Sequence, residues 1–371
     1  STMKNPTFNP MKIAVLGSRG IPNRYGGFEE MAAQVCPLWV KEGHQVTVYA
    51  ISDHPDKQDT VDGVRIIHIF NPEKTLGLAG QFIYDFLGIL HARKENYDVI
   101  LQLGYTTSGI WSFLWPKHKT ITNMDGLEHK RAKYKGLLSV FLKWSERRAV
   151  KGSKLLVADN PEIASYLKKF KKPIQTIAYG TEVVSFEPKT ATLLEPFDLI
   201  SKEYHLHIGR VQPDNHVHEI LSAAEDSGET LVTIGDYSTR YGRTLKGAFD
   251  HCRNIHFLGS IYDKTLLNAL RQHSLFYIHG HSAGGTNPAL LEALGCGCFV
   301  LAHGNAFNGS VLGGLGGLWL QSDQLSAQLQ QRPSKETLAQ QQELARERMK
   351  THFQWMDIAA QYIDAFQELE K

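Results

Sequence analysis

Short apolar segments alternate with longer segments of helical periodicity along almost the whole chain. Residues 11–16, 45–50 and 155–158 have the length and composition of buried parallel strands, and helical segments separate them. A second series of the same kind begins near residue 204. Because parallel strands need crossover helices on both faces of their sheet, this alternation predicts an α/β protein with doubly wound sheets.

Two alternating series predict two domains. The chain has 371 residues, of which 42% are hydrophobic, so each domain can bury a core of ordinary size. Residues 181–202 show little periodicity and contain Pro188 and Pro196, which is typical of a linker. We therefore expect an N-terminal domain over residues 11–180, a linker over 181–202, a C-terminal domain over 203–350 and a last helix over 351–371.

The charge of the chain is nearly balanced, with 40 basic and 38 acidic side chains and a net charge of +2. This balance argues against a general nucleic-acid-binding protein. The four cysteines have no spacing typical of a zinc site or a disulfide framework. No apolar segment reaches the ~18 residues of a membrane span, and no signal-peptide core precedes residue 11. We expect a cytoplasmic protein that is neither exported nor membrane-spanning.

One segment departs from the overall charge balance. Between Lys130 and Lys154 nine basic residues stand against one acid, Glu146, and apolar residues such as Phe141 and Trp144 lie among them. Two interpretations remain open: an amphipathic helix that lies on an anionic membrane surface, and a solvated face opposite an ordinary core side. The first would place the protein peripherally on the inner face of the plasma membrane.

Residues 275–303 read as a buried strand, a glycine-rich turn, a short helix and a second buried strand. Asn287 suits an N-cap and Pro288 suits the first helical position, so Gly284, Gly285 and Thr286 form the approach to a helix N-terminus. Free N–H groups and the positive end of the helix dipole favour a phosphate there. A tight turn that only connects the strand and the helix remains an alternative.

The same turn also matches the G-x-S-x-G elbow of serine hydrolases, with Ser282 as the nucleophile. In such an elbow the helix starts at the nucleophile, so Pro288 would lie inside it and remove a backbone hydrogen bond. Pro288 therefore counts against the elbow. An acid and a histidine that could complete a triad, Asp323 and His352, nevertheless follow in the right order.

Several short motifs occur in a fixed order along the chain. The first half contains GSRGIP at residues 17–22, YGGFE at 25–29 and DGLE at 125–128, and the second half contains GRVQPDN at 209–215 and GGTNP at 284–288, followed by Glu292. In these motifs and their spacing the chain resembles the GT-B glycosyltransferases, specifically retaining family 4 and its bacterial rhamnosyltransferase-like branch. The resemblance covers nearly the whole chain. It implies two Rossmann-like domains facing a central cleft, with residues 351–371 crossing back to the N-terminal domain.

The resemblance also implies roles for individual residues. Arg210 would meet the donor diphosphate through its planar guanidinium, and Glu292 would accept hydrogen bonds from the nucleotide ribose. The catalytic residues implied are Asp125, Glu128 and Arg210. The donor-binding residues implied are Gly20, Gly26, Gly27, Arg210, Asn215, Gly285, Thr286, Asn287 and Glu292.

Three positions depart from the family pattern. Gly284 stands where the wider family has an acid beside the transferred sugar, and Asn215 stands where it often has a lysine. Asp125 replaces a common histidine, so a catalytic role for Asp125 and Glu128 competes with a role in capping their own loop. The rhamnosyltransferase-like branch shares such changes, which favours an active enzyme.

The implied activity is transfer, with retention, of a sugar from a nucleoside-diphosphate sugar to a glycan or lipid-linked glycan acceptor in bacterial surface polysaccharide synthesis. dTDP-rhamnose is the first choice of donor. The alternatives are a UDP- or GDP-hexose donor, then a serine hydrolase using Ser282, then a non-catalytic nucleotide-sugar binder. No D-x-D sequence occurs, so we expect no metal and no cofactor beyond the donor itself.

Overall fold

The computed structural model describes residues 9–126, 136–282 and 285–370. The described residues form two compact units. The first unit contains the residues up to Tyr179 together with those from Trp355 onward, and the second contains Gly180–Gln354. The chain therefore passes between the units at two places.

The first unit is built on an eight-stranded sheet with the strand order β3-β4-β2-β1-β5-β6-β7-β8. Only the short β3 pairs with its neighbour in the antiparallel direction. The strands are β1 Lys12–Leu16, β2 Gln45–Ile51, β3 Thr60–Val61, β4 Val64–Ile69, β5 Val99–Leu103, β6 Thr120–Asn123, β7 Leu155–Ala158 and β8 Ile174–Thr176.

Helices connect these strands, and a 3-10 segment, Gly109–Leu114, follows β5. After β1 the chain moves to β2 on one side of the sheet, and β5 later pairs with β1 on the other side. The carboxyl ends of β1 and β5 therefore form a topological switch point, where open α/β sheets bind ligands. The helices are α1 Gly27–Lys41, α2 Glu73–Leu76, α3 Leu78–Lys94, α4 Leu137–Gly152 and α5 Pro161–Leu167.

The second unit has an all-parallel, six-stranded sheet with the order β11-β10-β9-β12-β13-β14. Its switch point lies between β9 and β12, because β10 and β13 lie on opposite sides of this pair. The strands are β9 His205–Ile208, β10 Leu231–Ile234, β11 Ile255–Gly259, β12 Tyr277–His279, β13 Val300–His303 and β14 Gly317–Trp319.

The helices of this unit close over both faces of the sheet, and a core of aliphatic and aromatic side chains lies between them. Residues 181–202, for which the sequence indicates a linker, contain a 3-10 segment, Pro188–Phe197, in which the Thr190 hydroxyl lies 2.9 Å from Nε2 of His273. The helices are α6 Val217–Ser227, α7 Arg240–Ala248, α8 Lys264–His273, α9 Pro288–Gly295, α10 Ala306–Leu312, α11 Ser322–Leu329 and α12 Lys335–His352.

The last helix, α13 Trp355–Gln367, belongs to the first unit. Its apolar face packs on α1, where the indole N–H of Trp39 donates to the Ala359 carbonyl at 3.0 Å. Tyr362 and Phe366 contact the Trp39 ring edge-on. Within the described ranges, no helix combines the length and the apolar composition needed to cross a bilayer.

Candidate functional site

Two loops meet at the carboxyl edge of the second sheet, one after β9 and one after β12. The backbone N–H and the hydroxyl of Ser282 both donate to the Asp214 carbonyl at 3.0 Å. A Cβ atom added to Gly280 would lie 2.0 Å from the Asn215 carbonyl oxygen, so only glycine allows this approach. The two loops therefore form one connected surface at the switch point.

Asn215 holds these loops in register. Its side-chain amide donates to the Arg210 carbonyl at 2.7 Å, and its Oδ1 lies 2.8 Å from Nδ1 of His281. Both ends of the amide are therefore used within the protein. These contacts favour a role for Asn215 in positioning the two loops. A direct contact between Asn215 and a donor would be a secondary role.

Arg210 is exposed on this surface. Its guanidinium forms no hydrogen bond or ion pair with the part of the chain that the structure describes. The five N–H donors of an arginine are always charged, and their planar arrangement matches pairs of phosphate oxygens. Among the described residues, Arg210 thus presents a cationic fork without a partner beside the switch point.

The N-terminus of α9 lies at the same edge. The helix begins at Pro288 and the Asn287 side chain accepts from the Ala289 N–H at 2.9 Å, which confirms the predicted cap. Its first turn contains no acidic residue, and Gly285 has a φ of 79°, in the left-handed region. The positive end of the helix dipole is therefore not compensated by a carboxylate of the first turn.

Glu292 lies one turn further along α9 and is held by an arginine from α8. Nη2 of Arg271 lies 2.5 Å from Oε2 of Glu292, and the Arg271 side chain is only 4% exposed whereas that of Glu292 is 49% exposed. Asn268 accepts a second hydrogen bond from Arg271 at 3.2 Å. A buried cation thus orients a carboxylate that solvent can still reach.

The start of α9 also decides against the hydrolase elbow. The helix begins six residues after Ser282 and not at it. The Ser282 hydroxyl donates to a backbone carbonyl, and the His352 ring contacts the Thr351 hydroxyl at the end of α12. Ser282 serves to fasten the loop.

In the first unit, the loop after β1 also lies at a switch point. Gly20 has a φ of 104°, and an added Cβ atom would lie 2.3 Å from the Cβ of Ala50, so packing alone requires this glycine. Gly26 is the N-cap of α1 in extended geometry, and the Gly27 carbonyl accepts from the Tyr179 hydroxyl at 2.7 Å.

The N-terminus of α1 differs in charge from that of α9. Glu29 and Glu30 lie in its first turn, and Glu29 accepts the Arg19 backbone N–H at 2.7 Å. These carboxylates compensate the helix dipole and repel an anion. The N-terminus of α1 is therefore less favourable for an anion than that of α9.

Asp125 follows β6 at the carboxyl edge of the first sheet. It has a φ of 53°, and its backbone N–H donates to Oδ1 of Asn123 at 3.0 Å. A non-glycine residue in this region stores backbone strain, which is frequent at functional sites. Glu128, the other predicted catalytic carboxylate, and Gly284 lie outside the described residues.

Comparisons with known proteins identify the architecture. One protein-family model, described as "Domain of unknown function (DUF1972)", matches residues 11–182. None of the curated proteins compared with the chain matches it. Among solved structures, the chain is similar to sucrose-phosphate synthase (tll1590) from Thermosynechococcus elongatus, with a TM-score of 0.78 and 17% identity over 97% of this chain and 99% of that chain.

Two further structures agree with this similarity. Anabaena Alr3699/HepE in complex with UDP and glucose has a TM-score of 0.76 and 16% identity, over 96% of this chain and 100% of that chain. A glycosyltransferase from Rickettsia africae ESF-5 has a TM-score of 0.71 and 15% identity, over 98% of this chain and 99% of that chain. The chain has the GT-B fold.

Sequence reasoning missed a group of histidines at the carboxyl edge of the second GT-B sheet. The rings of His216 and His303 stack with centroids 4.1 Å apart. Burial lowers the pKa of His207 to about 4, and burial and the neighbouring His281 hold the pKa of His279 well below its usual value. These buried imidazoles are therefore neutral at pH 7. The only sign of this group in the sequence is the concentration of histidines in HLHI at residues 205–208 and HGH at residues 279–281.

A second missed residue is Asp85, on α3 of the first GT-B unit. The Thr107 hydroxyl, from the loop after β5, donates to Oδ2 of Asp85 at 2.5 Å. Burial raises the pKa of Asp85 to about 7. Its i, i+3 and i+4 neighbours along the helix give no hint of this environment, because the contact comes from a distant loop.

Proposed function

We propose that this protein is a retaining glycosyltransferase that moves a sugar from a nucleoside-diphosphate sugar to a hydroxyl of a glycan or lipid-linked glycan. The observation that carries the proposal is the free guanidinium of Arg210 beside the uncompensated N-terminus of α9. A diphosphate is the ligand that matches both features. The similarity to glycosyltransferase structures supports the same ligand class.

The donor diphosphate is also the leaving group, so its negative charge grows as the glycosidic bond breaks. Arg210 and the N–H groups of residues 285–287 stabilise that charge from fixed positions. Glu292, oriented by Arg271, accepts hydrogen bonds from the ribose hydroxyls. This arrangement supplies charge stabilisation without a divalent ion, so we propose a metal-independent reaction with no cofactor.

The acceptor is assigned to the first unit. Gly20, Gly26 and Gly27 lie in the loop after β1, and Asp125 lies after β6 at the same edge of the sheet. Asp125 and Glu128 orient the acceptor hydroxyl. Because the sequence shows no evident nucleophile, attack occurs on the face that the diphosphate leaves, and a departing phosphate oxygen takes the acceptor proton.

The first choice of donor is dTDP-rhamnose, from the resemblance to the rhamnosyltransferase-like branch. A UDP- or GDP-hexose is the second choice, and HepE, which was solved with UDP and glucose, supports it. We propose that the acceptor belongs to bacterial surface polysaccharide synthesis on a cytoplasmic membrane face.

The surface of α4 supports docking to an anionic membrane. The exposed fractions are 89% for Leu137, 64% for Val140 and 48% for Trp144. Lys143 and Arg147 are exposed on the same helix. Apolar side chains that enter the interface and lysine or arginine side chains that meet lipid phosphates are the two components of peripheral binding. Binding to vesicles with anionic lipid, and none to neutral vesicles, is the expected result.

Release of nucleoside diphosphate from a panel of dTDP-, UDP- and GDP-sugars tests the proposed activity. We expect one donor to release its nucleoside diphosphate slowly by hydrolysis without acceptor and faster by transfer when a lipid-linked glycan is present, and NMR of the product should show retention at the anomeric carbon. A non-catalytic binder remains the second candidate because Gly284 replaces an acid. It would bind one donor without any turnover.

A further inference from the structure

Three side chains of different ligand chemistry converge at the opposite edge of the second sheet. Glu225 lies near the end of α6, and His251 and Cys252 lie in the turn just before β11. Since α6 runs back from the carboxyl edge and β11 begins at Ile255, these residues lie at the amino edge. They take no part in the proposed donor site.

The three ligand atoms are close enough to share one ion. Oε1 of Glu225 lies 2.6 Å from Nε2 of His251 and 3.5 Å from Sγ of Cys252. All three atoms lie within 4.8 Å of one another. Tetrahedral zinc with bonds of about 2.0 Å to nitrogen and oxygen and about 2.3 Å to sulfur separates its ligands by roughly 3.3–3.6 Å. The two distances from Glu225 lie close to these separations, so side-chain rotation can bring the atoms into a tetrahedral arrangement.

The backbone around the cluster is already held in place. The side-chain amide of Asn254 donates to the Ala224 carbonyl and to the Glu229 carbonyl, both at 2.8 Å. The Cys252 N–H donates to the Phe249 carbonyl at 3.0 Å. These bonds fasten the turn to the end of α6, so Glu225 and Cys252 are held as neighbours before any ion binds.

The ligand types select zinc over magnesium or calcium, because a thiolate and an imidazole are softer than the oxygen ligands that those ions require. Asp226 and Asp250 add negative charge next to the cluster, and Arg253 supplies a single positive charge.

We propose that Glu225, His251 and Cys252 form a zinc site, with water in the remaining coordination position. Binding forms a zinc–sulfur bond and releases the thiol proton to solvent, so affinity increases with pH. The ion links the end of α6 to the turn before β11 and stabilises the second unit by mass action. The other three cysteines are buried, whereas Cys252 is of intermediate burial.

Cobalt binding to the reduced, chelator-treated full-length protein tests the site. We expect one equivalent of Co²⁺ to give a sulfur-to-cobalt charge-transfer band and the visible bands of a tetrahedral site, and Zn²⁺ to displace it. Cys252→Ser should remove the charge-transfer band and weaken zinc binding at least about tenfold. Zinc should raise the melting temperature of the wild type more than that of Cys252→Ser.

His118→Gln is the matched control, because His118 is an exposed histidine in the first unit. It should keep the wild-type cobalt spectrum and zinc affinity, whereas His251→Gln should lose both. A wild-type protein without a sulfur-to-cobalt band overturns the proposal. Equal zinc affinity in the wild type and Cys252→Ser overturns it as well. Neither result bears on the glycosyltransferase proposal, since donor binding is measured separately.

Discussion

Nη2 of the buried Arg271 lies 2.5 Å from Oε2 of the half-exposed Glu292. The pair joins α8 to α9, so the helix whose N-terminus faces the proposed diphosphate is also fixed by an ion pair on its flank. Burying an arginine is costly unless its charge is compensated. Under the proposed function, Glu292 therefore has two separable roles, one in stability and one in binding the ribose.

The two roles of Glu292 can be separated by paired substitutions. Glu292→Gln should lower the free energy of unfolding by about 1–3 kcal/mol, because Arg271 stays buried without its counter-charge. Adding Arg271→Met should restore much of that stability and leave nucleotide binding weak. Denaturant unfolding and calorimetry measure the two quantities. Full recovery of nucleotide affinity in the double variant would contradict a ribose contact.

Arg210→Ala should weaken binding of a nucleoside diphosphate by about 1.5–3 kcal/mol, the range for a hydrogen bond to a charged group. The corresponding nucleoside should bind the variant and the wild type equally, because it carries no phosphate. Arg240→Ala is the control, since Arg240 is also exposed in the second unit. If Arg210→Ala binds the diphosphate as tightly as Arg240→Ala does, Arg210 is not a phosphate ligand.

Asp85→Asn should stabilise the protein most at alkaline pH. Burial raises the pKa of Asp85 from 3.8 to about 7, so the folded state holds a proton that the unfolded state has lost. Wild-type stability therefore falls as pH rises between these two values and stays low above them. Denaturant unfolding should show an advantage of about 2 kcal/mol for Asp85→Asn at pH 8 that shrinks toward pH 5. A constant difference across this range would rule out the titration.

Ser282→Ala should leave transfer intact and cost about 1 kcal/mol of stability, because it removes one hydrogen bond to the Asp214 carbonyl. Steady-state transfer with the identified donor and chemical denaturation check both effects. Loss of turnover with unchanged donor affinity would restore a chemical role for Ser282.

The elements that sequence analysis placed well are those with local signals. The start of α9 follows from Asn287 and Pro288, because an N-cap residue and a proline at the first helical position mark a helix start without reference to distant residues. The last helix, predicted over residues 351–371, is found as α13 Trp355–Gln367. Short apolar strands such as Leu155–Ala158 are found at the predicted residues.

What could not be predicted depends on contacts between distant residues. The order of strands in each sheet is set by pairing across long stretches of chain. The glycine-rich residues 313–317 look like a loop, yet β14 begins at the last of them, Gly317, by pairing with β13. Arg271 and Asp85 look like ordinary helical charges, and only their partners Glu292 and Thr107 give them their roles. The mixed zinc ligands were missed because they come from two separate segments.

The most direct test of the central claim is a thermal-shift panel of dTDP, UDP, GDP and ADP on the wild type and on Arg210→Ala. A ligand that binds only the folded state raises the melting temperature. At a ligand concentration about 100 times the Kd, the folded state is stabilised by ~2.7 kcal/mol. We predict that one of the four raises the melting temperature of the wild type and that Arg210→Ala loses most of that shift. No shift with any of the four nucleotides would contradict a nucleotide-sugar site at Arg210 and α9.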